Sequence, residues 1–170
     1  MLIQIIQKHN FFLASKYFLL AANKNDYKSL NNLGCIYYEN ELIPRDINKA
    51  IHYLTLASKL NDSKSQFLLG IIYYEGFYIT RDINKSIYYF TLAANQNYSF
   101  AQSTLGCLYF ENKYVKQDIN KAIHYFTLAA DQDELQALTN LGYIYYEGKY
   151  VERDINKAIY YFSKAAMQNL

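Results

Sequence analysis

Few charges, two cysteines, one proline and no apolar run of membrane-spanning length set the first limits on this sequence of 170 residues. Charged residues make up 19%, below the ~25% typical of soluble domains. Seventeen basic against fifteen acidic residues leave a formal charge of +2. No field of one sign is available to hold a phosphate backbone, so nucleic acid is not an expected partner. No apolar stretch approaches the ~20 residues that span a bilayer, so direct membrane insertion is not expected either. The opening MLIQII has neither the basic start nor the apolar length of a secretory signal, and an intracellular, cytoplasmic protein is the expectation. Cys35 and Cys107 occupy the same place in two non-adjacent copies of a repeat. Stacked copies would hold them far beyond the ~7 Å limit for a disulfide, so each is expected to be reduced and partly buried.

What is present is apolar and aromatic. Half the residues are hydrophobic (52%) and twenty are tyrosines, which excludes intrinsic disorder and gives one domain enough apolar surface for a core. The segment YYEGKYVERDINKAIYYFSKAA from Tyr145 recurs as YYEGFYITRDINKSIYYFTLAA from Tyr73 and YFENKYVKQDINKAIHYFTLAA from Tyr109, with a looser copy from Tyr37. Glycines 34, 70, 106 and 142 and aspartates 46, 82, 118 and 154 all fall at a spacing of 36. A period in this range marks a stacked array. The expected organisation of residues 1–170 is an N-terminal half repeat at 1–26 and full repeats at 27–62, 63–98, 99–134 and 135–170.

Within a copy the period is helical. From Asp82, small or apolar residues recur at Ile83, Ser86, Ile87, Phe90, Ala93 and Ala94. Asp82 is placed to cap the helix N-terminus. Asn25, Asn61, Asn97, Asp133 and Asn169 are expected to close the second helix of each unit, since Asn and Asp tolerate the left-handed backbone. Asn40, Gly76, Asn112 and Gly148 would close the first. Each copy is thus an antiparallel helix pair joined by about six residues, with Pro44 in one connecting loop. Lys49, Lys85, Lys121 and Lys157 recur in a first turn, where the helix dipole disfavours a cation. Their partner is expected to be the recurring glutamate (Glu39, Glu75, Glu111, Glu147) or the capping aspartate; otherwise the stem lies on apolar surface.

The copies align as L-G-x-x-Y-Y/F-E-G/N-x-Y-I/V-x-R-D-I-N-K-A-I-x-Y-F-T-L-A-A, which resembles the Sel-one-like repeat, a relative of the tetratricopeptide repeat. The resemblance covers residues 10–170. It implies an all-α fold, a right-handed α/α superhelix (solenoid) of 36-residue antiparallel helix pairs. It also implies an adaptor that holds protein assemblies together. Three features depart from the family. Leu42, Tyr78, Tyr114 and Tyr150 replace the second loop glycine, Asn or Asp replaces the glycine closing the second helix, and the paired cysteines of the secreted branch are missing. The beta-lactamase activity associated with that branch gains no support from this sequence.

In related solenoids the first helices line the inner, concave wall. The candidate partner-binding residues there are an aromatic (Tyr38, Tyr74, Phe110, Tyr146), a glutamate beside it (Glu39, Glu75, Glu111, Glu147), and the variable Phe67 and Tyr143. An aromatic ladder edged with carboxylates suits a peptide or protein with apolar and basic side chains. The competing reading has those aromatics packing between adjacent first helices. No metal-ligand spacing, phosphate loop or nucleophile motif occurs, so no catalytic residue, metal or cofactor is expected. The expected function is a protein-interaction scaffold. The alternatives are a spacer or regulatory array attached to a catalytic domain and, remotely, an enzyme. Both ends finish on a second helix, with Phe11, Phe12, Ile159 and Phe162 uncovered, so end-to-end self-association or a longer array is expected.

Overall fold

The computed structural model describes residues 13, 16–18, 20, 26–39 and 45–169. Most of the half repeat, together with Asn25, Asn40, Leu42 and Pro44, lies outside the described residues. Eight α-helices follow in order: α1 (Tyr27–Glu39), α2 (Ile47–Lys59), α3 (Ser63–Glu75), α4 (Ile83–Asn95), α5 (Ser99–Glu111), α6 (Ile119–Ala130), α7 (Leu135–Glu147) and α8 (Ile155–Ala166), which runs into a 3₁₀ turn at Met167–Asn169. No strand occurs among the described residues, and the helices form the antiparallel pairs expected of the repeat. The chain divides into two compact units, Met1–Tyr89 and Phe90–Leu170, so the boundary falls inside α4.

Local chemistry sets the helix ends. Asp46, Asp118 and Asp154 cap α2, α6 and α8, each accepting from the amide three residues on. Asp82 does the same for Lys85 at the start of α4. Three first helices are capped one residue before their first turn: Asp26 accepts from the Ser29 amide, Asp62 from the Ser65 amide and Glu134 from the Gln136 and Ala137 amides; α5 begins after Tyr98 without a side-chain cap. Three second helices close as anticipated, whereas α8 passes through right-handed Met167 into the 3₁₀ turn that holds Asn169. Asn61, Asn97 and Asp133 take positive φ of 67°, 61° and 61°. The amide of each and that of its successor turn back onto the helix, as in Asn97 N–H to Ala94 O and Tyr98 N–H to Ala93 O, which satisfies carbonyls the helix leaves open. Gly76, Gly148 and Asn112 end α3, α7 and α5 at φ of 64°, 64° and 55°.

The recurring lysine has two neighbours. Its ammonium lies 3.2, 3.5, 3.6 and 3.8 Å from the capping aspartates 46, 82, 118 and 154. It also lies 4.7–5.1 Å above the rings of Tyr37, Tyr73, Tyr109 and Tyr145. Each of those tyrosines stacks on a second-helix tyrosine, as in Tyr109 on Tyr125 with centroids 6.0 Å apart. Each also accepts, through its carbonyl, the amide of the same aspartate. Aspartate, lysine and paired rings thus clamp the loop to both helices of a copy. The capping aspartate is the lysine's partner; the recurring glutamate is left for other work.

Packing between the helices of a pair dictates the repeated glycine. A Cβ on Gly34 would lie 2.5 Å from Leu54, on Gly106 2.5 Å from Phe126, and on Gly142 2.6 Å from Phe162. In the first unit Tyr38, Ala50, Leu54, Leu69 and Ile72 form the core. In the second, Phe126 sits among Ala122, Ala129, Ala130, Leu138, Leu141 and Ile144.

Candidate functional site

Glu75 and Glu147, which end α3 and α7, each stand beside an aromatic of the preceding copy, and the two units treat this arrangement differently. In the first unit it is closed. Tyr38 is only 9% exposed, and its hydroxyl donates to Glu75 Oε2 at 2.7 Å. Burial first, and then the bond to Glu75, raise the Tyr38 phenol above its ordinary ionisation range. The Arg45 guanidinium lies 4.4 Å from the Tyr78 ring centroid and 5.7 Å from that of Tyr38, and Arg45 Nε donates to the Tyr38 carbonyl. A cation held between two rings gains from both π faces. Asn31 of α1 donates to Ser65 Oγ of α3 at 2.8 Å. The stripe expected to face a partner is thus, in this unit, partly a helix–helix contact.

In the second unit the same place is open. Phe110 replaces the tyrosine and has no hydroxyl to offer Glu147. Gln117 replaces the arginine; its amide donates to the Phe110 carbonyl at 2.7 Å, keeping the backbone bond without the charge. A pocket of about 250 Å³ remains, lined by Phe110, Asn140, Tyr143, Ile144, Glu147 and Tyr150. The Tyr150 ring meets Phe110 edge-on at 5.6 Å, and Tyr143 meets Phe162 edge-on at 5.2 Å. Phe110 also rests on Phe126 at 6.5 Å, so the pocket floor continues into the core. Asn140 donates to Cys107 Sγ at 3.7 Å. Burial is the main cause that pushes the Cys107 thiol up to about 11. Hydrogen bonds from Gln117 and then Lys149 hold the exposed Tyr150 phenol below its usual range. The Glu147 carboxylate is exposed, with no hydrogen-bond or ion-pair partner among the described residues.

The sequence-predicted residues are therefore distributed unevenly. Phe110, Tyr143 and Glu147 meet in the pocket, whereas Tyr38 and Glu75 bind one another. Tyr146 is 51% exposed beneath the Arg153 guanidinium at 5.5 Å. Phe67 and Tyr74 are half-buried on α3, and Glu39 and Glu111 are exposed. Asn140, Ile144 and Tyr150 were not anticipated. The available signal was the break in the repeat at Gln117, where arginine stands in the other three copies. Both cysteines are free and half-buried, as expected. Among the described residues no helix is long and apolar enough to cross a membrane.

Solved structures share the helical-repeat fold. The protective antigen c5321 of uropathogenic Escherichia coli, described as displaying an SLR fold, superposes with a TM-score of 0.86 at 27% identity, over 92% of this chain and 33% of that one. A Sel1 repeat protein from Oxalobacter formigenes gives 0.84 and 28%, over 92% of this chain and 64% of the other. This chain thus spans about a third and just under two thirds of their respective lengths. The immunity protein Pa5087 of Pseudomonas aeruginosa, at 18% identity and a TM-score of 0.53, shares the fold alone. No curated protein matches the chain. The family model described as Sel1 repeat matches residues 6–26, 28–62, 63–98, 99–134 and 135–170. With five consecutive copies matched, and the glycine contact and aspartate cap built alike from copy to copy, the chain belongs to the Sel1 repeat family.

Proposed function

We propose that this protein is an interaction scaffold that binds a peptide or protein partner on the face of its first helices, at the pocket between α5 and α7. The observation that carries this reading is an aromatic pocket with an unpaired carboxylate at its edge, where the equivalent groups of the first unit are closed upon themselves. Small apolar pockets with a single oriented polar group are what side-chain recognition uses. The recurring aspartates and lysines are occupied in capping and clamping, which supports a binding role rather than a catalytic one. The test is capture of partners from cells of the source organism by the chain and by a Tyr143→Ala/Glu147→Ala variant of unchanged helicity. Partners held by the first and released by the second are expected. Equal capture by both would contradict the assignment.

A second contact surface rests on α8, where Ile155, Ile159 and Tyr160 stand exposed. It supports the self-association expected of an uncovered helix face. Sedimentation equilibrium should show concentration-dependent association that Ile159→Glu abolishes. A monomer at every concentration would refute it.

A further inference from the structure

One constellation occurs closed in the first unit and open in the second, and the closed copy shows what the open one accepts. Around Glu75 the closed copy comprises Tyr38, Tyr78 and the guanidinium of Arg45. At the corresponding positions around Glu147 stand Phe110, Tyr150 and the neutral Gln117. Both replacements act on the same place. Phe110 removes the hydroxyl donor to the glutamate, and Gln117 removes the guanidinium from between the rings. Two further lining positions change in the same sense. Asn140 stands where the earlier copy has Leu68, and Tyr143 where it has Ile71. The open copy therefore gains an amide oxygen and another ring edge. The Lys149 ammonium lies 5.0 Å from the Tyr150 ring centroid and makes no ion pair with Glu147 among the described residues; what the open copy lacks is a guanidinium between its rings.

We infer that the pocket between α5 and α7 receives an arginine side chain of a peptide partner, its guanidinium lying against the Tyr150 ring and pairing with the Glu147 carboxylate. The inference rests on the interaction reading above and specifies the chemistry of the partner. At about 250 Å³ the pocket is smaller than the ~300–1,000 Å³ of small-molecule sites, a size that suits one long side chain. A planar guanidinium can stack on a ring while offering paired N–H groups to a carboxylate at its edge. A lysine ammonium satisfies only the charge. The amide of Asn140 donates to Cys107, which leaves its oxygen to accept a further guanidinium N–H.

The test is selection of a random heptapeptide library on the whole chain, followed by calorimetric titration of synthetic copies of the enriched peptides. The enriched peptides should share an arginine. Its replacement by citrulline, which keeps the shape and removes the charge, should weaken binding about tenfold or more, and replacement by lysine somewhat less. Gln117→Arg installs the residue native to the other copies, so it should fold normally, occupy the pocket from within and lower affinity comparably. Glu147→Gln should weaken binding about fivefold. Enriched peptides that lack arginine, or that bind the Gln117→Arg variant unchanged while being lost on Tyr143→Ala, would overturn this inference and leave the interaction reading standing. Peptides indifferent to all three variants, or no enrichment at all, would overturn both.

Discussion

Ser86 stands where the other copies have Ala50, Ala122 and Ala158, and its buried Oγ has no hydrogen-bond partner. A desolvated hydroxyl without a partner costs about 1–3 kcal/mol, and alanine already fits the equivalent positions. Ser86→Ala should therefore stabilise the fold by roughly 1 kcal/mol, raising Tm by about 2–4 °C in a thermal melt. A lower Tm would show that the hydroxyl is satisfied. Tyr38→Phe, which copies the residue at 110, removes the bond to Glu75. It should cost about 1–2 kcal/mol in urea unfolding, because the acceptor is charged and the donor buried. Cys107 offers a chemical readout. With its thiol raised from 9.0 to about 11, little thiolate exists at pH 8, and alkylation by iodoacetamide should lag well behind that of a free thiol. The linkage follows in sign. The unfolded thiol ionises first as pH rises, so this group's contribution to stability is full below pH 9 and declines between about 9 and 11.

At the scale of the helix, two contacts hold each copy together and differ in strength. Alanine at Gly106 would gain about 1 kcal/mol of helix propensity, but its Cβ would meet the Phe126 ring at 2.5 Å. Overpacking against a buried ring costs about 1–3 kcal/mol, so Gly106→Ala should lower Tm, and a neutral or raised Tm would mean the pair can slide apart freely. The cap is the other contact. Asp118→Ala should cost about 1 kcal/mol through the lost bond to the Lys121 amide, whereas Lys121→Ala, breaking an exposed pair, should cost under about 0.5 kcal/mol. Bonds to Ser29 and Lys49 hold the half-buried carboxyls of Asp26 and Asp46 below their usual range. Their contribution is present at neutral pH and fades as pH falls below about 4. Most of this level was legible in the sequence. The left-handed closures at Asn61, Asn97 and Asp133 and the caps at Asp46, Asp82, Asp118 and Asp154 follow from residue type and a fixed period. The lysine's partner was not settled there, because a first-turn cation alone does not say which neighbouring carboxylate or ring it will meet.

At the scale of the molecule, the repeat makes the fold readable and conceals the site. Residues that contact neighbours recur in register, so the helix pairs could be read from glycine, tyrosine and aspartate positions together. The candidate face could be read only as a stripe. Tyr38, Tyr74, Phe110 and Tyr146 look equivalent in sequence, yet Tyr38 is buried and Tyr146 exposed. An arginine lies over both rings; what distinguishes Tyr38 is its bond to Glu75 of the following copy. Such long-range pairings are set by packing rather than by local pattern, which is why Asn140 and Tyr150 escaped notice and why Gln117 matters more than its single letter implies.

The central claim is that partners engage the first helices of the second unit. It is tested most directly by hydrogen exchange of the chain with and without a captured partner. Added protection along α5, α7 and the loop containing Tyr150, reduced by the Tyr143→Ala/Glu147→Ala changes, is the predicted result. Protection confined to α6 and α8, with α5 and α7 unchanged, would contradict the account and move the interaction to the second helices.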